Sequence, residues 1–205
     1  MPKTLSRKPV QGSVTFDEFC FLVKDKQKAD LIDGVIYMAS PDNLDANDIN
    51  QWLSGLLYDF VIERDLGKLW ILRVAFRLSL KNAPEPDIGF VLKNRLHLAK
   101  RGYFDGNPDA AFEIVSPDSI ERDYIKKLQQ YEEFGVGEYW IVDEIEETVT
   151  LYRLNKKGKY QEVRSKDGIF YSEVIDGFWL DPNWLWQTPK PRKSVILEQL
   201  LGEAK

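Results

Sequence analysis

A carboxylate interrupts an apolar strand in the run Phe112-Glu113-Ile114-Val115-Ser116-Pro117, and a helix carrying Asp123, Lys127 and Tyr131 follows it. Side chains alternate across a strand, so residues 111, 113 and 115 share one face and 112 and 114 the other. Phe112 and Ile114 can then pack on a helix layer while Glu113 points the opposite way. A carboxylate among apolar neighbours is costly unless a cation or hydrogen-bond donors compensate it. The fold has to provide both a covered sheet and a partner for this acid.

The rest of the chain reads as α/β, a mixed sheet flanked by helices with additional strands near the C-terminus. Residues 1–12 read as a flexible arm, 13–188 as one domain and 189–205 as a tail. Thr15 with Glu18 three residues later predicts a capped helix start, and Asp33-Gly34 between two apolar runs predicts a hairpin. Ile49, Trp52, Leu53, Leu56, Leu57, Phe60 and Val61 recur at helical spacing over residues 45–65, with Gly67 as the stop. Strands are predicted at Leu69 to Val74, Phe76 to Leu80, Asp87 to Leu92 and 110–115, with a polar loop at 93–109. Asp118-Ser119-Ile120-Glu121 begins the next helix and Gly135 ends it. Tyr139 to Val142 and Thr148 to Tyr152 complete the sheet.

The scarcity of two residue types excludes whole classes of site. Cys20 and His97 are the only cysteine and histidine, so no zinc centre can be built from several such ligands, and no internal disulfide can form. A reducing cytoplasm is the expected compartment. No apolar run approaches the ~20 residues that span a bilayer, and the N-terminus does not read as a secretory signal. Aspartate and glutamate remain as metal ligands, and all-oxygen sites favour magnesium, manganese or calcium. The net charge of −5 argues against coating nucleic acid through an overall field. Basic clusters at Lys93, Arg95, Lys100 and Arg101, at Lys156, Lys157 and Lys159, and at Lys190, Arg192 and Lys193 read as solvated turns.

A second acid, Asp87, opens the apolar run Pro86-Asp87-Ile88-Gly89-Phe90-Val91. If its strand neighbours that of Glu113, the two carboxylates converge on one hard cation, which could polarise a phosphoryl oxygen and acidify a bound water. Lys127 could orient that water or stabilise charge on the phosphate. Two close carboxylates repel, so neutralising one is expected to preserve or raise stability. The plainer alternatives are a turn aspartate, an exposed glutamate, an Asp123–Lys127 pair at i,i+4 spacing and a core tyrosine at 131.

Taken together, Asp30-Leu31-Ile32-Asp33-Gly34, Pro86-Asp87, Phe112 to Pro117, Asp123 with Lys127 and Tyr131, and Gly135-Val136-Gly137-Glu138-Tyr139-Trp140-Ile141-Val142-Asp143 resemble the Uma family of the PD-(D/E)XK nuclease superfamily. The resemblance covers roughly residues 14 to 186. It implies a restriction-endonuclease-like fold, DNA as substrate, and Mg2+ or Mn2+ held by Asp87, Glu113 and Ile114. Asp87 and Glu113 match the family's catalytic acids. Val115 stands where the superfamily usually has its lysine, and Lys127 matches the lysine of this family, with Lys126 the weaker candidate. Asp30, Asp123 and Tyr131 match accessory positions. Asp30 replaces the usual glutamate and Asn47 a frequent histidine, and the shorter acid is expected to leave an accessory contact unmade. The competing readings are a nuclease fold that binds nucleic acid or protein without cutting, and a two-carboxylate glycosidase with the C-terminal tryptophans as a sugar platform. Cutting both strands of a duplex makes a homodimer the natural assembly.

Overall fold

A computed structural model describes residues 13–23, 27–40, 43–71 and 73–202; the arm expected at 1–12 lies outside them. Thr15 caps α1 (Phe16–Leu22) in a reciprocal box: the Glu18 N–H donates to Thr15 Oγ1 and the Thr15 N–H to the Glu18 carboxylate. Strands β1 (Ala29–Ile32) and β2 (Val35–Met38) form the predicted hairpin. Asp33 and Gly34 both take positive φ, 51° and 75°, as a two-residue hairpin turn requires.

Helix α2 (Leu44–Glu63) starts at Asn43, whose side chain accepts from the Ala46 N–H at 2.7 Å. Its periodic positions Ile49, Trp52, Leu53, Leu56, Leu57, Phe60 and Val61 are buried in the main core, whereas Leu44, Tyr58 and Ile62 are exposed. Gly67 does not stop this helix; it opens strand β3 (Gly67–Ile71). A Cβ there would lie 2.0 Å from the Val91 carbonyl oxygen, so glycine permits the close strand contact. The strand expected at 76–80 shrinks to β4 (Ala75–Phe76), because the Leu78 and Ser79 N–H groups turn back to the Asn82 carbonyl. Strand β5 (Ile88–Leu92) follows. The stretch expected as loop holds a 3-10 helix, Lys93–Leu98, and β6 (Tyr103–Phe104), which pairs parallel to β4.

Strand β7 (Ala110–Val115) leads to a π-helical turn, Arg122–Lys127, continued by α3 (Leu128–Glu133). Then come β8 (Glu138–Asp143), β9 (Thr148–Leu154), β10 (Tyr160–Val163), β11 (Phe170–Tyr171), β12 (Trp179–Leu180), α4 (Asn183–Trp186) and α5 (Lys193–Gly202). The main sheet has the order β10-β9-β8-β7-β5-β3. Within that sheet only the β7–β8 pair is parallel, and the helix between them supplies the crossover that parallel pairing needs.

The two faces of β7 and β8 differ as alternation predicts. Phe112, Ile114, Trp140 and Val142 enter the main core with α2, α4 and α5, where the Phe112 and Trp140 rings stack at 5.2 Å. Ala111, Val115, Tyr139 and Ile141 face Tyr131 and Val136 on the other side. The stretch from Pro189 includes α5, whose Ile196 and Leu200 are buried in the main core. Trp179 and Trp184 pack at 4.9 Å with their rings tilted by 46° within that core, which accounts for them without a sugar. No helix among the described residues is long and apolar enough to cross a membrane.

Candidate active site

Strand pairing explains why the two acids meet. In the antiparallel β5–β7 ladder Ile88 lies opposite Phe112, so the next step of the register sets Asp87 opposite Glu113. Asp87 Oδ2 accepts the Ile114 N–H at 2.8 Å, which fixes the carboxylate at the strand mouth. The Ile114 side chain belongs to the main core, so only its main chain borders the site.

Glu113 is buried at the centre of a charge cluster. Its Oε1 accepts from the Tyr131 hydroxyl at 2.9 Å and lies 2.8 Å from Lys127 Nζ. Lys127 Nζ is also 3.2 Å from Asp30 Oδ2 and 3.6 Å from Asp123 Oδ1. The helix carrying Asp123, Lys127 and Tyr131 widens into a π turn here, a distortion common where side chains serve a site. Lys126 turns outward, pairs with Glu121 and lies 5.8 Å from the Tyr37 ring centroid. Val115 faces the apolar cluster of Tyr131, Val136 and Ile141.

Asp30 reaches its partners despite being the shorter acid. Its Oδ1 accepts the Glu85 N–H at 2.8 Å, and its Oδ2 lies 3.3 Å from Arg122 Nε in addition to Lys127. Asn47 lies apart, on α2, accepting from the Gln51 side chain.

Two cations of the cluster carry no signal in the sequence pattern. Lys28 Nζ lies 2.5 Å from Asp87 Oδ1 and 4.0 Å from Glu113 Oε2, bridging the acids. Arg122 stands between Asp30 and Asp123. Asp87 and Glu113 therefore do not face each other uncompensated, and neutralising Asp87 removes an ion pair as well as a repulsion. The expectation of preserved or raised stability loses its physical basis.

Burial and the neighbouring charges oppose each other in the cluster, and burial wins at Glu113 and Asp123. It pushes Glu113 up to about 8, against the pull of Lys127 and Lys28, and raises Asp123 as well. For Asp30 the Lys127, Arg122 and Lys28 charges outweigh burial and hold the carboxyl below its usual range. Lys127 and Lys28 are both held protonated, because the surrounding carboxylates outweigh burial. Asp30 Oδ2, Asp123 Oδ1, Arg122 Nε and Lys127 Nζ have no hydrogen-bond partner among the described residues, although they sit within ion-pair reach of one another. They meet as ion pairs, Asp30 Oδ2 at 3.2 Å from Lys127 Nζ and 3.3 Å from Arg122 Nε, and Asp123 Oδ1 at 3.6 Å from Lys127 Nζ.

Neighbouring Glu85 gives a pH test of this burial. Desolvation raises it to about 7 from 4.5, although the Ala29 N–H donates to it at 3.2 Å. The folded state then holds a proton that the unfolded chain has released, so stability falls as pH rises through that window. Glu85→Gln keeps the acceptor oxygen and removes the titration. Its melting temperature should match wild type near about pH 4 and exceed it near about pH 8; an equal gap at both would contradict the assignment.

Among the described residues no three Asp, Glu, His or Cys side chains are gathered as a metal site. Asp87 and Glu113 nevertheless converge on one cationic point, at present the Lys28 ammonium, and oxygen donors of this kind suit a hard divalent ion. A narrow cavity of about 10 Å³ opens there, lined by Lys28, Ser40, Asp87, Glu113, Arg122 and Asp123 among others. A larger hollow of about 300 Å³ lies against the hairpin and α3, but none of the cluster's carboxylates lines it. Four members of the basic clusters are ion-paired: Lys93 with Asp65, Arg95 with Asp109, Lys159 with Glu132 and Lys190 with Asp48.

The comparisons with known proteins agree with this architecture. A crystal structure of a "putative nuclease belonging to DUF820" from Anabaena variabilis superposes with a TM-score of 0.69, at 21% identity, over 84% of this chain and 97% of that one. No curated protein sequence matches the chain. The model of the Uma2 family, described as "Putative restriction endonuclease", matches residues 14–183, and the chain belongs to that family.

Proposed function

We propose that the protein is a divalent-metal-dependent DNA endonuclease whose metal is held by Asp87 and Glu113. The observation that carries the reading is their convergence, from opposed positions of paired strands, on a single cation. Family membership supports phosphodiester hydrolysis as the chemistry.

A bound Mg2+ or Mn2+ supplies a Lewis acid and a water of lowered pKa. Asp87 is oriented for that task by the Ile114 N–H, and Glu113 by the Tyr131 hydroxyl. Ile114 also lines the cavity, and its carbonyl oxygen would be a further donor for a hard cation. Lys127 is fully buried and does not line the cavity, so it acts through Glu113, Asp30 and Asp123 rather than by touching the phosphate. Arg122 and Lys28 do line the cavity and are the cations a phosphate would meet.

Cleavage of single-stranded, duplex and branched DNA with Mn2+, Mg2+ or chelator tests the proposal. Cutting should require metal and vanish on chelation; equal cutting in chelator would contradict it. Two copies would place two sites on a duplex, and a protein that sediments only as a monomer while cutting both strands at once would refute that assembly.

A further inference from the structure

We infer that Lys28 is a tethered counter-ion that holds the metal's place in the metal-free protein and leaves it when a divalent ion binds. The inference rests on the metal reading above and adds a residue that neither the family's acids nor its lysine covers.

Three observations carry it. Lys28 Nζ contacts the same two carboxylates from which the metal would be held, at 2.5 Å and 4.0 Å. With the ammonium in place, the cavity of about 10 Å³ has room for roughly one water, not for a hydrated cation. The cluster is also close to charge balance as it stands, with Lys28, Arg122 and Lys127 against Asp30, Asp87, Glu113 and Asp123. Adding a dication while keeping Lys28 would leave two cations competing for Asp87 and Glu113.

The backbone is suited to a change confined to the side chain. The Lys28 carbonyl accepts the Ala39 N–H at 2.9 Å, continuing the β1–β2 ladder, so the Cα is anchored. The flexible four-carbon stem can swing an ammonium outward without moving the strand. Lys28 is the partly exposed lysine of the cluster, with 17% of its side chain accessible against 1% for Lys127. Of these two lysines it has the shorter path to water.

The test combines Mn2+ calorimetry with lysine acylation read by mass spectrometry, on full-length wild type, Asp87→Asn and Lys28→Met. Mn2+ should bind wild type, lose its site in Asp87→Asn, and raise the acylation rate of Lys28 by about fivefold or more, as an ion-paired ammonium becomes solvated. Lys127 should stay unreactive. Lys28→Met should bind Mn2+ about tenfold more tightly, a competitor having been removed. Mn2+ binding at Asp87 with unchanged or lowered Lys28 acylation overturns the displacement and leaves the metal reading intact. Absence of binding in both wild type and Lys28→Met overturns the metal reading and the inference with it. The acylation is read on wild type, so a folding defect in Lys28→Met does not blunt the test.

Discussion

Lys127→Met is expected to cost the fold about 3–5 kcal/mol at neutral pH, because it strips the ammonium from three buried carboxylates. Asp30, Glu113 and Asp123 all lie within 3.6 Å of Lys127 Nζ. For a domain of this size the loss corresponds to a drop on the order of 10 °C in melting temperature. Without Lys127 each carboxyl is driven toward its neutral form: the folded pKa values of Glu113 and Asp123 rise further above their unfolded values and that of Asp30 rises from below its own, so the variant loses stability as pH rises. The deficit should be smaller near about pH 5 than near about pH 8. Thermal melts of both proteins across that range check it. A variant as stable as wild type at every pH would mean that Lys127 is not buried among the acids. Loss of cleavage in Lys127→Met therefore cannot by itself assign a chemical role to this lysine.

Glu113→Gln should behave in the opposite way, losing activity while keeping the fold. Burial already favours the neutral acid, pushing Glu113 up to about 8. The amide oxygen can still accept the Tyr131 hydroxyl, and Lys127 keeps Asp30 and Asp123. The melting temperature should stay within a few degrees of wild type, roughly the effect of 1 kcal/mol. Metal-dependent nicking of supercoiled plasmid should fall by about 10³-fold or more, the equivalent of ~4 kcal/mol of lost metal stabilisation. Nicking at the wild-type rate would remove Glu113 from the metal site. A collapse of folding and activity together would make it a structural acid.

What the sequence reveals and conceals follows from the range of the interactions. Helix α2, the hairpin turn and the alternating faces of β7 are local, and periodicity or turn chemistry shows them directly. Strand alternation tells which way Glu113 points, but its meeting with Asp87 depends on two strands being neighbours, which only the condition of pairing could express. Lys28 shows no pattern at all. It precedes the hairpin by one residue and reaches Asp87 from 59 positions away, because the Leu31–Ala83 bridge folds β1 over the mouth of the sheet. Arg122 reads as an ordinary surface residue near a helix start, and the π turn that carries it has no composition signal. The missing contact expected at Asp30 was a matter of reach. The turn at Arg122 and the full burial of Lys127 bring their charges to the shorter side chain.

An anomalous-scattering map from crystals soaked in Mn2+ decides whether Asp87 and Glu113 hold one divalent ion. A peak is expected at the β5–β7 mouth, roughly 2.0–2.6 Å from oxygens of both carboxylates, with no such peak in Asp87→Asn crystals. Mn2+ bound elsewhere, or a protein that cuts DNA with no metal at this pair, would contradict that assignment.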